Sequence, residues 1–155
     1  MNVVSTPVRP FCIGCIFFAV VSGLISVLFG TVAIDVQLHD TYYVFTHLHL
    51  FITAALLFGV IAGIYDAYSR LLGRVTNATL GKLHFWLTFV SINIALFSML
   101  YLSIAGSPSR YDTYNTVNLL NFSRMIGLAF IVAIVTQLML LYPLLLGLFG
   151  GKKRF

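Results

Sequence analysis

Four apolar runs, each long enough to cross a bilayer, dominate this chain: residues 11–34, 43–65, 83–105 and 125–149. A helix rises about 1.5 Å per residue, so about 20 apolar residues span the roughly 30 Å of hydrocarbon. In that medium every backbone amide must be satisfied within the protein, which makes runs of this length helical. Short polar links join them, at residues 35–42, 66–82 and 106–124. No Pro/Ser-rich linker, internal repeat or low-complexity block interrupts the pattern. It predicts an all-α integral membrane protein of four transmembrane helices, with residues 1–155 forming a single membrane domain.

Composition argues against a soluble fold. Hydrophobic residues make up 60% of the 155 and charged residues only 8%; four Asp are the whole acidic complement. A water-facing surface needs roughly 25–35% charged residues. In a soluble protein the net charge of +5 would suggest nucleic acid; here it sits in the links and tails, and no nucleic-acid partner is expected. Basic residues favour the cytoplasmic or matrix side of a membrane. Arg9, Arg70, Arg74, Lys82, Lys152, Lys153 and Arg154 fall on the side shared by both tails and the second link. Only Arg110 and Arg124 fall on the other. Both termini are therefore expected inside. The sequon Asn77-Ala78-Thr79 would also be inside and unglycosylated. No cleavable signal peptide is evident, because the first apolar run is long enough to span. Cys12 and Cys15 read as small buried residues, since no second Cys pair completes a metal site.

The stretch VQLHDTYYVFTHLHLF, residues 36–51, breaks the apolar rule with three of the four histidines. Ionisable groups inside a membrane are expensive and usually functional. His47 and His49 are two apart, so on a helix they point to roughly opposite faces. One metal cannot easily take both rings, because that wants spacings of three or four. Two separate centres suit the pair, and neutral imidazole is a common axial ligand of heme iron. Two satisfied interfacial histidines remain the alternative. Asp35, His39, Asp40 and Arg110 form an outer-face polar layer able to bind heme propionates, a hard cation, or both. His84, beside Lys82 at the inner end of the third span, reads as an interfacial residue rather than a ligand.

The segment LHDTYYVFTHLH, residues 38–49, resembles the His-Asp-Thr-Tyr-Tyr-Val-x-x-His-x-His signature of subunit 1 of the heme–copper oxidases. GKLHFWLTFVSIN, residues 81–93, is similar to the start of that family's eleventh helix. AGSPSRY, residues 105–111, resembles its Gly-x-Pro-Arg-Arg-Tyr loop. The resemblance covers the last four of the family's twelve helices. It implies the C-terminal fragment of a split catalytic subunit, in a bundle completed by another chain.

By this resemblance His47 would ligate the high-spin heme iron, heme a3, and His49 the low-spin heme a. His39 and Asp40 match positions that hold Mg²⁺ together with an acidic residue of subunit 2. Asp35, Tyr42 and Arg110 match the heme propionate region. Copper B, by the same resemblance, is bound by the N-terminal fragment of subunit 1. Subunits 2 and 3, cytochrome c acting through subunit 2, and the lipid bilayer are the other implied partners. The implied activity is electron transfer from cytochrome c to oxygen, coupled to proton pumping and absent from the isolated chain. The implied location is the mitochondrial inner membrane, with both termini in the matrix, or alternatively a bacterial plasma membrane. The sequence departs from the family pattern at Ser109, which stands where the first of two paired arginines is usual.

Three other readings compete. A quinol oxidase fragment differs at an electron-entry site that lies in subunit 2. A di-heme carrier of the cytochrome b kind would need a second helix carrying two histidines, and none is present. A heme-free structural or assembly subunit sits poorly with the retention of both His47 and His49. Ser91, Asn93 and Gly127 are expected to pack against partner helices.

Overall fold

The computed structural model describes residues 7–32, 34, 36, 46, 52–71, 77–105 and 117–150. It contains four long helices: α1 (Val8–Phe29), α2 (Ile52–Leu71), α3 (Ala78–Ile104) and α4 (Val117–Gly150). All four are long and apolar enough to cross a membrane, and the described residues contain no strand. This is the architecture that the apolar runs predict.

The helix ends differ from the apolar runs for local reasons. α1 begins at Val8, with Pro7 at its N-cap, and not at residue 11. Pro10 falls in the first turn, where a missing N–H removes no intrahelical bond. α1 ends at Phe29, and the Gly30 N–H bonds Ser26 O at 2.9 Å. α2 runs six residues past Tyr65, because Asp66 and Arg70 pair across one turn at 2.8 Å. α3 starts at Ala78 because the Asn77 side chain accepts the Thr79 N–H at 3.0 Å. The sequon is thus a helix cap. α4 is 34 residues long, about 51 Å at the standard rise. Its most apolar part, Asn121–Tyr142, suffices to cross the hydrocarbon.

α1 packs along α2 and α3 along α4, with a lighter contact between α1 and α3. Aromatic rings fill the junction. Phe11 lies 5.5 Å from Phe58, 5.7 Å from Tyr65, 5.0 Å from His84 and 5.3 Å from Phe85, ring centroid to centroid. Lipid tails are as apolar as these side chains, so close fit and hydrogen bonds, more than water exclusion, hold such helices together. Gly14 gives the Phe58 ring its space, since a Cβ there would collide with it. At Gly81 a Cβ would stand 2.6 Å from the Pro7 Cβ, so the starts of α1 and α3 touch almost backbone to backbone. The ends that carry Arg9, Arg70 and Lys82 consequently lie together. That agrees with the up-and-down order expected from the sequence.

Candidate functional site

Asp35, His39, Asp40, Tyr42, His47, His49, Ser109 and Arg110 lie outside the described residues. Two features on the described helices bear on function: a groove between α1 and α2, and a buried polar chain that links α2, α3 and α4.

The groove is open to the surface, has a volume of about 670 Å³, and is lined largely by small side chains. α1 contributes Ala19, Gly23 and Ser26, spaced four and three residues apart and so on one face. α2 contributes Ala55 and Gly59. The groove reaches Ile52, the first residue of α2, only three positions after His49 in sequence. The recess is mostly apolar, with the hydroxyls of Ser22 and Ser26 on its α1 side. Small residues leave this space open, since larger side chains at these positions would fill it.

The polar chain begins at Tyr65. Its hydroxyl lies 3.0 Å from His84 Nδ1, and His84 Nε2 lies 3.3 Å from Gln137 Oε1. Gln137 Nε2 donates to Ala133 O at 2.9 Å and to Thr88 Oγ1 at 3.4 Å. Thr88 and Thr136 hydroxyls meet at 3.1 Å, and Thr136 Oγ1 donates to Ala133 O at 2.7 Å. These bonds fix the chain's direction. A backbone carbonyl can only accept, so the atom facing Ala133 O must be the amide nitrogen of Gln137. Its oxygen therefore faces His84, and the neutral ring carries its hydrogen on Nε2. Nδ1 keeps its lone pair and accepts the Tyr65 hydroxyl.

His84 is therefore not at an exposed interface, as its place beside Lys82 suggests. It is fully buried, caged by Phe11 and Tyr65, with both nitrogens bonded to protein. Both ring nitrogens are thus engaged by protein side chains. Tyr65, Thr88, Thr136 and Gln137 were not singled out from sequence. The available signal was polar side chains inside the third and fourth apolar runs, where such groups seek partners. Contrary to the expected burial of both, Cys12 is exposed and Cys15 half-buried on α1, as free thiols. Among the described residues no cluster of three metal-ligating side chains occurs.

The family model for cytochrome c and quinol oxidase polypeptide I matches residues 1–149. The chain belongs to this family. Cytochrome c oxidase subunit 1 of Yarrowia lipolytica is 31% identical over 147 residues, which cover 92% of this chain and 27% of that protein. The Candida albicans subunit is 33% identical over 143 residues, again 92% and 27%. The subunit of Bacillus sp. strain PS3 is 33% identical over 143 residues, 88% of this chain and 22% of the relative. This member of the oxidase polypeptide I family thus spans about a quarter of the length of the curated relatives it matches.

Proposed function

We propose that this chain forms part of the catalytic subunit of a terminal respiratory oxidase and supplies the axial histidines of two hemes. The family match over residues 1–149 carries the reading, because that range contains both His47 and His49. Cytochrome c is favoured over quinol as donor, since the relatives above are named cytochrome c oxidase subunit 1.

His47 holds the iron of heme a3 and His49 the iron of heme a. When bound, the hemes would supply reversible electron storage and the chemistry of oxygen reduction. The residues of this chain do the remainder. Each imidazole offers a neutral nitrogen, and the two-residue spacing directs the rings to opposite faces of a helix. The groove lined by Ala19, Gly23, Ser26 and Gly59 is compatible with the reading, since it reaches Ile52, five positions after His47 in sequence. Arg110, with Asp35 and Tyr42, organises the propionate region. Arginine suits that place because its planar fork pairs two-pronged with a carboxylate. His39 and Asp40 contribute two ligands to Mg²⁺, which needs further oxygens from outside this chain.

The remaining portion of the catalytic subunit, which carries copper B and the proton-channel residues, completes the centre. Subunits 2 and 3 adjoin it. The assembly pumps protons in the mitochondrial inner membrane, with both termini of this chain in the matrix.

Optical spectra of the assembled complex test the histidine assignments. His49→Ala should remove the low-spin heme signal, and His47→Ala the carbon monoxide difference spectrum of the high-spin heme. The reverse pattern would overturn the assignments.

A further inference from the structure

Ser22 leaves its hydroxyl unused in a place where that is costly. It is 5% exposed and stands on α1, seven residues before the end of that helix at Phe29. A serine or threonine inside a helix can return its hydroxyl to a backbone carbonyl three or four residues earlier. Ser91 does so with Leu87 O at 2.7 Å, Ser103 with Met99 O at 2.8 Å, and Thr136 with Ala133 O at 2.7 Å. The Ser22 hydroxyl has no partner among the described residues. A buried hydroxyl left unmatched costs free energy, and lipid tails offer it nothing.

The hydroxyl borders a recess, not a packed wall. Ser22 lines the groove between α1 and α2, with Ala19 and Ser26 one turn to either side and Gly59 on the α2 wall. The unspent half of the group is its O–H donor. What fills the groove must therefore bring a hydrogen-bond acceptor to Ser22, and an acyl chain carries none.

The run of the chain singles out an occupant. α1 ends six residues before Asp35, and α2 begins three residues after His49. Both walls of the groove thus lead into the segment with the two candidate heme ligands. Hemes of the a type carry ionised propionates and a formyl carbonyl as acceptors. Propionates belong near water, with Arg110. Ser22 lies about 10 Å inside the end of α1, and Ile52, Leu56 and Val60 line the same groove. A neutral carbonyl suits such a place, whereas a carboxylate there would be an uncompensated charge.

We propose that Ser22 donates a hydrogen bond to the formyl oxygen of one of the two hemes, and so positions and tunes that heme. The inference rests on the reading that His47 and His49 hold hemes of the a type. A donor on the formyl oxygen draws electron density out of the macrocycle and favours the reduced iron; hydrogen bonds around a heme are one of the protein's means of setting its potential.

Resonance Raman spectra of the assembled complex test this through the formyl carbonyl stretch, which a hydrogen bond lowers. At least one formyl band should lie below that of the same heme extracted and bound to imidazole in an aprotic solvent. Ser22→Ala should move one such band up to the solvent value and lower the reduction potential of that heme. Ser22→Thr should keep both near native, since threonine retains the hydroxyl. Formyl bands all at the solvent value in the native complex would overturn the proposal without any variant. So would a Ser22→Ala spectrum identical to the native one, or hemes that carry no formyl group. The histidine spectra above remain independent: if His47→Ala and His49→Ala remove the expected signals while the formyl bands ignore Ser22, this inference fails and the functional reading stands.

Discussion

The Tyr65 hydroxyl meets His84 Nδ1 at 3.0 Å and thereby joins α2 to α3 in the aromatic centre of the molecule. Both side chains are almost fully buried, and Phe11 stands against each ring. Removing the hydroxyl leaves a ring nitrogen facing hydrocarbon. A buried acceptor left unmatched costs roughly 1–3 kcal/mol. Tyr65→Phe should therefore lower the thermal stability of the assembled complex, read by differential scanning calorimetry. His84→Phe added to Tyr65→Phe should lose less than the sum of the two single changes, because the second substitution removes the orphaned nitrogen. Additive losses would show that the bond is not what couples these residues.

Gln137 makes a second, separable prediction. Its amide bonds His84, Ala133 O and Thr88 together, so its two ends are not interchangeable. Gln137→Glu replaces the donor that serves Ala133 O with an acceptor. Two oxygens would then face each other in a buried place, which is far less favourable than the lost bond alone. Gln137→Glu should destabilise the complex more than Gln137→Leu in the same thermal measurement. Equal effects would mean that the amide orientation derived above has no energetic consequence.

Glycine spacing yields a packing prediction. Gly14 and Gly81 are pressed by the Phe58 ring and by Pro7, whereas a Cβ at Gly63 meets nothing within 4 Å among the described residues. The Pro7 contact involves a rigid ring close to backbone, so it cannot yield as a flexible side-chain tip would. Gly81→Ala and Gly14→Ala should reduce recovery of the folded complex after detergent extraction, and Gly63→Ala should not. A harmful Gly63→Ala with a harmless Gly81→Ala would reverse the packing described.

Length and hydropathy made the four spans legible, because the bilayer fixes how many apolar residues a helix needs. The alternation of basic links made the up-and-down order legible as well. Helix ends were less so. α1 begins before the apolar run, with Pro10 in its first turn, and Asn77, read as part of a sequon, acts as a cap. The polar chain through His84 could not be read, since its bonds join residues 19 and 53 positions apart. Nothing local in the sequence signals such pairings. The ligand candidates His47 and His49 were read from spacing and resemblance, and they lie outside the described helices.

Orientation is a further prediction from charge. Arg9, Arg70 and Lys82 lie at one end of the described bundle, and that end should face the matrix or cytoplasm. A protease-cleavable tag fused after Phe155 should be protected in intact mitoplasts or right-side-out vesicles. It should be cut only after the membrane is opened. Cleavage in sealed vesicles would invert the topology that the charge bias predicts.

Ser109 sets the last prediction, which depends on the heme reading. Serine stands where the family resemblance expects an arginine, so Arg110 alone supplies positive charge from this pair. One guanidinium pairs two-pronged with one carboxylate and leaves the other propionates short of compensation. An added cation favours the reduced heme, which carries one more electron, so Ser109→Arg should raise the potential of the nearest heme. It should also hold nearby propionates ionised to lower pH, because an opposite charge favours the charged carboxylate. The dependence of potential on pH should then weaken near neutrality. Redox titration of the complex at several pH values checks both. A potential that neither rises nor loses its pH dependence would mean that a cation from another chain already occupies this position.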